Sequence, residues 1–412
     1  MKPKTFMLIA GEASGDTLAA ELVGALRTKV LEIESLPSDD AQPLRTALAP
    51  RFFGAGGARM AATGVELAFD LTLHSVLGIS EVLKNLRQFR KLLRQAIRLA
   101  LERQPDVIIG VDYGGFNLRF ARAIKRYVRR NHSEFTPWNP RLVQFVSPQV
   151  WASRPGRARV LEDTHDLLLS IFPFEKEWYA ARAPKLRVEF VGHPMVGRFQ
   201  NAERGTRNAE PHADPSSILH PPSSPRILLL PGSRWSEVRR HWPVVTGAFE
   251  ILRRELPGLR AKLILPDDEL VRSARTLGVP PGVDILTGEV PTALADGDLA
   301  VTKSGTITLE CAMFGVPAVV FYKTSWLNYA VAKPLMKVKY LAMPNLLANE
   351  EVFPELIQGA ATAANIAGAA LELLRNDARR RAVKAKLARI VATLGAPGAP
   401  QRAAEAIVSL LP

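Results

Sequence analysis

Asp112 follows the apolar run Val107 to Val111 and precedes Tyr113-Gly114-Gly115-Phe116-Asn117. A carboxylate at the carboxyl end of a strand, just ahead of a helix, serves either as general base toward an alcohol within hydrogen-bonding reach or as an ordinary turn residue. Pro231-Gly232-Ser233-Arg234 follows a second run, Arg226 to Leu230. Its backbone amides, hydroxyl and guanidinium either suit a diphosphate, because Arg makes bidentate charge-assisted hydrogen bonds, or form a structural turn with a solvated Arg. Lys303-Ser304-Gly305-Thr306 follows a third run, Leu299 to Thr302, and opens a helix. Ser304, Gly305 and Thr306 offer amides and hydroxyls to a phosphate. Glu310, a turn further on, either accepts from a ribose diol or is an exposed helix acid. Gly11-Glu12-Ala13-Ser14-Gly15-Asp16 follows Thr5 to Ile9. Glu12 and Asp16 argue against phosphate there and favour a polar sugar, with Ser14 also placed to cap a helix.

Each of these loops needs a strand behind it and a helix ahead. Besides those four runs, Leu142 to Val146, Leu167 to Ile171, Val188 to Val191, Ala261 to Leu265, Val283 to Leu286 and Ala318 to Phe321 read as strands. Helical periodicity lies between, at Ser14 to Val30, Ser80 to Leu101 and Leu118 to Arg130 in the first half. Such alternation predicts parallel sheets covered by helices. The pattern lapses between 201 and 225, ending in Pro221-Pro222-Ser223-Ser224-Pro225, which continues neither element. The expected organisation is an α/β domain over 1–200, a linker over 201–225, a second α/β domain over 226–362 and helices over 363–412. Those helices either pack back on the first domain or exchange between two copies in a homodimer.

Composition narrows the function classes. Hydrophobic residues make up 47% of the 412, enough for two packed cores. Cys311 is the single cysteine, which excludes an intrachain disulfide and a multi-cysteine metal site and fits a reducing compartment. The seven histidines show no metal spacing; His193, in Val191-Gly192-His193-Pro194, reads as a turn residue. The apolar start, Phe6 to Ala10, is too short for a signal peptide, and no run approaches the roughly 20 residues of a membrane span. A cytoplasmic protein is expected.

The formal charge of +14, from 54 Lys and Arg against 40 Asp and Glu, predicts an anionic partner. Zinc-finger spacing and an RNA-recognition signature are both missing, so lipid and phosphate come ahead of nucleic acid. In Ser80 to Arg103, Val82, Leu83, Leu86, Phe89, Leu92, Leu93, Ile97 and Leu101 interleave with cations that include Arg87, Arg90 and Arg94. Such a helix either lies on an anionic membrane or packs its apolar face in the core. Trp151, Trp178, Trp235 and Trp326 are expected as core or cleft aromatics.

Taken in order, the segments GEASGD from Gly11, GAGGARM from Gly54, GISEVL from Gly78, PDVIIGVD from Pro105, FVSPQVWA from Phe145 and FPFEKEWY from Phe172 resemble the lipid-A-disaccharide synthase family. So do FVGHPM from Phe190, LLPGSR from Leu229, SGTITLE from Ser304, MPNLLA from Met343 and VFPELIQ from Val352. The resemblance implies the GT-B architecture: two Rossmann-like domains facing a cleft, with C-terminal helices and the donor nucleotide mainly on the second domain. It also implies an inverting transfer from acylated UDP-glucosamine to acylated glucosamine 1-phosphate at the cytoplasmic face of the inner membrane, giving a β-1,6-linked disaccharide and UDP; no cofactor is expected, and the amides and cation of Gly232 to Arg234 and Ser304 to Thr306 predict UDP binding without a metal.

Carried onto matching positions, the resemblance makes Asp112 the base and sets Arg234, Gly232, Ser233, Ser304, Gly305 and Thr306 on the diphosphate. It puts Glu310 on the ribose, Asn345 in the donor cleft, and Glu12, Ser14 and Asp16 on the acceptor side. The chain departs from the family pattern at Gly115, Ser153 and Lys303. The other readings are a GT-B transferase for a different UDP-sugar and lipid acceptor, and a non-catalytic nucleotide-sugar or membrane-binding relative.

Overall fold

The computed structural model describes residues 3–33, 49–74, 86–199 and 225–411. The chain divides into two compact units. One runs to Pro194 and resumes at Leu394; the other spans Met195 to Thr393. Most of the linker read at 201–225 and the GISEVL segment from Gly78 lie outside the described residues.

The first unit is a seven-stranded sheet of β1 (Thr5–Ala10), β2 (Arg51–Gly56), β3 (Glu66–Asp70), β4 (Val107–Val111), β5 (Arg141–Phe145), β6 (Leu167–Ser170) and β7 (Val188–Phe190). All pairings are parallel, in the order β3-β2-β1-β4-β5-β6-β7. Helices follow the strands: α1 (Ala13–Ile33), α2 (Ala58–Ala62), α3 (Leu86–Arg103), α4 (Gly114–Asn131), α5 (Val150–Ser153), α6 (Arg157–Thr164) and α7 (Glu175–Ala180). The central strands read as unbroken apolar runs because both faces are covered, and all five residues of β4 are buried. In α4, Phe116, Phe120, Ile124 and Val128 recur every fourth residue and form the buried stripe.

The second unit repeats the plan with six parallel strands: β8 (Arg226–Leu230), β9 (Arg260–Leu265), β10 (Val283–Thr287), β11 (Leu299–Lys303), β12 (Ala318–Tyr322) and β13 (Glu355–Ile357). Their order is β10-β9-β8-β11-β12-β13. Its helices are α8 (Trp235–Glu255), α9 (Asp268–Arg275), α10 (Val290–Asp296), α11 (Ile307–Met313), α12 (Trp326–Ala332), α13 (Met343–Ala348), α14 (Ala363–Arg375) and α15 (Asp377–Thr393). The C-terminal helices are divided between the units. Helix α14 packs on α8 of the second unit, whereas α16 (Ala399–Val408) packs on α1 of the first.

Three strands escape the sequence pattern. β2 carries two glycines, β3 is only partly buried, and β13 has three residues, so none shows a full apolar run. Helix α3 takes the second of the two arrangements its sequence allows. Its Leu92, Ala96 and Ala100 are buried, with Phe89, Leu93 and Ile97 packed against the same core. Its apolar stripe is therefore used within the unit. Only its outward side, with Arg87, Arg90 and Arg94, faces solvent.

Candidate active site

A doubly wound sheet opens a crevice where neighbouring strands send their crossovers to opposite faces, and ligands collect there at the carboxyl ends. In the first unit this switch lies between β1 and β4, which pair directly. The loops that follow them are Gly11 to Asp16 and Asp112 to Asn117. Ser14 donates its hydroxyl to the Asp112 carboxylate, as does the backbone N–H of Tyr113. A side chain at Gly11 would collide with the Tyr113 ring at 2.2 Å. Glycine at that position lets the aromatic ring cross the first loop.

The backbone here is held in an unfavourable conformation. Asp112 and Tyr113 adopt φ of +50° and +42°, and Val146, just past β5, adopts +65°. Non-glycine residues in this region cost on the order of 1–3 kcal/mol each, so the surroundings must hold them. Amides of Asn117 and Gln144 donate to the Asp112 carbonyl at 2.8 and 2.9 Å, and its own N–H reaches the Phe145 carbonyl at 2.8 Å. Burial lifts the Asp112 carboxyl above the usual carboxylate value, with the Tyr113 amide and Ser14 hydroxyl drawing it partly back. The result is a carboxylate more basic than one in water and fixed in direction.

Asp16 has a different task from the acceptor-side one expected of it. It is 3% exposed, and its carboxylate accepts the backbone N–H groups of Gly57, Met60 and Arg59 at 2.7, 3.2 and 2.9 Å. It thereby caps α2 and fastens GEASGD to GAGGARM. Gly56 and Gly57 leave room for it, since a side chain at Gly57 would lie 2.8 Å from Asp16 Oδ2.

Glu175 is a residue sequence reasoning did not single out. Fully buried, it accepts from Trp151 Nε1 at 2.9 Å and from the Phe172 N–H at 3.3 Å. Burial pushes its carboxyl up to about 7, against hydrogen bonds from Trp151 and Ser147. Ser147 Oγ also lies 3.0 Å from Tyr179 Oη. This buried group binds α7 to the loop after β5, which carries the strained Val146. His193 is buried against Phe172, and its N–H donates to the Leu394 carbonyl at 2.8 Å, where the chain re-enters the unit. That is a structural turn, as its sequence reads.

In the second unit the switch lies between β8 and β11, which also pair directly. Pro231-Gly232-Ser233-Arg234 follows one strand and Ser304-Gly305-Thr306 the other. Glu237, one turn into α8, lies between the two loops. It accepts from Lys303 Nζ at 2.8 Å and from the Ser233 N–H at 3.1 Å, with an Arg234 guanidinium nitrogen 3.7 Å away. Burial raises the Glu237 carboxyl, but Lys303 above all, with Ser233 and Arg234, draws it below its ordinary value. Gly232, at φ +143°, passes so close that a side chain there would meet Glu237 at 2.7 Å. His241, buried in α8, lies 2.5 Å from the Pro231 carbonyl and 3.0 Å from that of Lys323, tying this turn to the chain beyond β12.

Ser304 donates its hydroxyl to the Leu341 carbonyl at 3.0 Å, and Thr306 is exposed. Burial raises Glu310, which the Arg198 charge partly counters. Asn345 is not a ligand-facing residue: it is fully buried, and its amide is saturated. It donates to the Phe353 carbonyl and Glu355 at 2.7 and 2.9 Å, and accepts from the Val352 and Phe353 N–H groups at 2.9 and 2.8 Å. Glu355 in turn accepts from the N–H groups of Leu341 and Ala342. Motifs MPNLLA and VFPELIQ thus form the support on which Ser304 rests. Among the described residues no three His, Cys, Asp or Glu side chains gather as metal ligands.

Two doubly wound parallel domains in one chain, with C-terminal helices shared between them, define a GT-B-like architecture. A putative UDP-N-acetylglucosamine 2-epimerase from Listeria monocytogenes superposes with a TM-score of 0.59 at 14% identity, covering 100% of this chain and 97% of the other. The calicheamicin glycosyltransferase CalG4 gives 0.56 at 15%, covering 100% and 99%. At that identity the likeness concerns fold alone. Family membership comes from sequence. The family model described as lipid-A-disaccharide synthetase matches residues 6–407. The lipid-A-disaccharide synthase of Myxococcus xanthus is 36% identical over 414 residues, covering 100% of this chain and 98% of that one. That of Syntrophus aciditrophicus is 33% identical over 416 residues, covering 100% and 99%. The chain belongs to the lipid-A-disaccharide synthase family, glycosyltransferases that act on UDP-sugar and lipid substrates in a condensation forming lipid A disaccharide.

Proposed function

We propose that the donor is UDP-2,3-diacylglucosamine and the acceptor 2,3-diacylglucosamine 1-phosphate, joined with inversion to give lipid A disaccharide 1-phosphate and UDP. The observation that carries this reading is the division of chemistry between the two strand switches. One presents a carboxylate of raised basicity held by a hydroxyl and an amide. The other presents two cations and two glycine-bearing turns around a single acid.

In the reaction the acceptor 6-hydroxyl gives its proton to Asp112, and its oxygen forms the new bond to the donor's anomeric carbon. The bond from that carbon to the β-phosphate oxygen breaks, and the electron pair leaves with UDP. Arg234 and Lys303 meet the developing charge, with the amides of the Gly232 to Ser233 turn and the hydroxyls of Ser304 and Thr306. Lys303 stands where the family has a small residue, so this chain brings an extra cation to the leaving group. Glu310 accepts from the ribose diol. Glu12 and Ser14 border the acceptor sugar, while Asp16 holds their loop in place. The enzyme works as a peripheral protein on the cytoplasmic face of the inner membrane. The formal charge of +14 supports this, and no helix among the described residues is long and apolar enough to cross a bilayer.

Mass spectrometry of products from the purified protein tests the reading. Incubation with the two acylated glucosamines should yield the disaccharide 1-phosphate and one equivalent of UDP. UDP release only with a different acceptor would reassign the substrate.

A further inference from the structure

Helix α12 and the turn after it stand apart from the rest of the second unit. Neither α12 nor Lys333–Leu335 contains a buried residue. Trp326, Leu327, Val331 and Leu335 are 79%, 67%, 45% and 43% exposed, half of the eight large apolar side chains exposed among the described residues. Leu327, Val331 and Leu335 recur every fourth residue, and so form one outward ridge beside Trp326. Trp326 therefore does not lie in a core. Apolar area of this kind, concentrated on one short element, marks a contact surface.

The charge along this stretch of chain has one sign. Lys333, Lys337 and Lys339 are exposed, and no Asp or Glu occurs anywhere from Cys311 to Asn349. Lys333 lies over the Tyr329 ring and Lys339 over that of Tyr340. A soluble protein partner generally meets mixed charge and hydrogen-bonding groups at the rim of an interface. A Trp and aliphatic ridge whose own segment carries lysines and no acid instead matches the boundary of an anionic bilayer, where apolar side chains enter the headgroup region and lysine stems extend toward phosphate.

The position of the ridge gives it a purpose. The segment leaves the carboxyl end of β12, where the Thr324 N–H is held by Gln358 at 2.9 Å. It ends at Leu341, whose carbonyl accepts the Ser304 hydroxyl at 3.0 Å. Both ends are thus anchored within the second unit, one of them on the loop assigned to the donor diphosphate. We infer that residues 326–339 form a docking face for an anionic lipid surface, placing the donor loops at the membrane where acyl chains of the donor remain. The purpose rests on the donor reading above; the docking itself does not.

The test is sedimentation of the full-length protein with phosphatidylcholine vesicles, with and without phosphatidylglycerol. Wild type should pellet with the anionic vesicles. The quadruple variant Trp326→Ser, Leu327→Ser, Val331→Ser, Leu335→Ser should lose about tenfold in vesicle affinity, and Lys333→Glu, Lys337→Glu, Lys339→Glu a similar factor on anionic vesicles only. Both should retain wild-type circular dichroism and UDP affinity by calorimetry. Vesicle binding equal to wild type in the quadruple variant would overturn the inference. So would a change in oligomeric state on gel filtration with vesicle binding intact, which would make the ridge a protein interface. Docking without turnover of the acylated substrates would leave the face assigned and refute the donor reading instead.

Discussion

The two strand switches of this molecule are built on the same backbone plan and present opposite chemical groups. Between β1 and β4 the residues are a carboxylate, a hydroxyl and an aromatic ring, held with φ above zero at Asp112 and Tyr113. Between β8 and β11 they are an arginine, a lysine and hydroxyls, and it is the glycines Gly232 and Gly305 that take the positive φ. The first arrangement fixes a carboxylate in direction with non-glycine residues at positive φ. The second gives the positive φ to glycines, which adopt it without strain. Fold is thus shared, and function resides in which residues the loops present.

The largest effect is expected at the first switch. Asp112→Asn keeps the shape but cannot accept a proton, so turnover should fall by about 10²–10⁴ while UDP affinity and circular dichroism stay as in wild type. Because burial raises this carboxyl, the acid limb of the wild-type rate profile should lie above the ordinary carboxylate range, activity rising with pH as the group ionises. Near-normal turnover in the variant would move the base to Glu12, since the Asp16 oxygens are already engaged by backbone.

At the second switch Arg234→Ala should remove about 2–4 kcal/mol of transition-state stabilisation, read as kcat/KM for the donor. Chelator should leave wild-type activity unchanged if, as proposed, fixed cations meet the leaving diphosphate. Strict dependence on added magnesium would instead put a metal at this switch and end the contrast with the first.

Lys303→Ala sharpens the contrast within the second switch. Glu237 now holds Lys303 and the Ser233 N–H together. Removing the lysine should weaken UDP binding by about 1 kcal/mol, roughly the value of one charge-assisted hydrogen bond in a partly exposed site. Calorimetry showing no change would leave Lys303 as a strut for Glu237 alone.

The smallest effect concerns the support of the first switch. Glu175 is held near 7 when folded, against an unperturbed 4.5, so the fold favours its neutral form. Its contribution to stability is full below about pH 4.5 and is lost as pH rises through 7. Glu175→Gln stays neutral, so its melting temperature relative to wild type should rise by about 3 °C between pH 5 and pH 8. A pH-independent difference would mean that the carboxyl ionises freely in the fold.

Much of this was legible in the chain. Long apolar runs such as Val107–Val111 and Arg226–Leu230 fall on strands at those same bounds. The loops worth naming follow directly from the strands' carboxyl ends, since strand and loop are both local in sequence. Short or half-exposed strands such as β3 and β13 were not legible, because partial burial leaves no periodic signal. The buried tasks of Asp16, Asn345 and Glu175 were also hidden, since polar residues inside a fold carry the same letters as those facing a ligand.

The sequence by itself determined the two-sheet composition, the family and the loops able to carry chemistry, because hydrophobic period, turn residues and motif order are properties of neighbours along the chain. Tertiary structure alone decided which loops meet. Gly57 reaches Asp16 across 41 residues, and Lys303 reaches Glu237 across 66. It also buried the apolar stripe of α3 and left the apolar side chains of α12 in solvent. The physical reason is that burial depends on what the opposing element offers, and in a parallel sheet that element arrives by a crossover from a distant part of the chain.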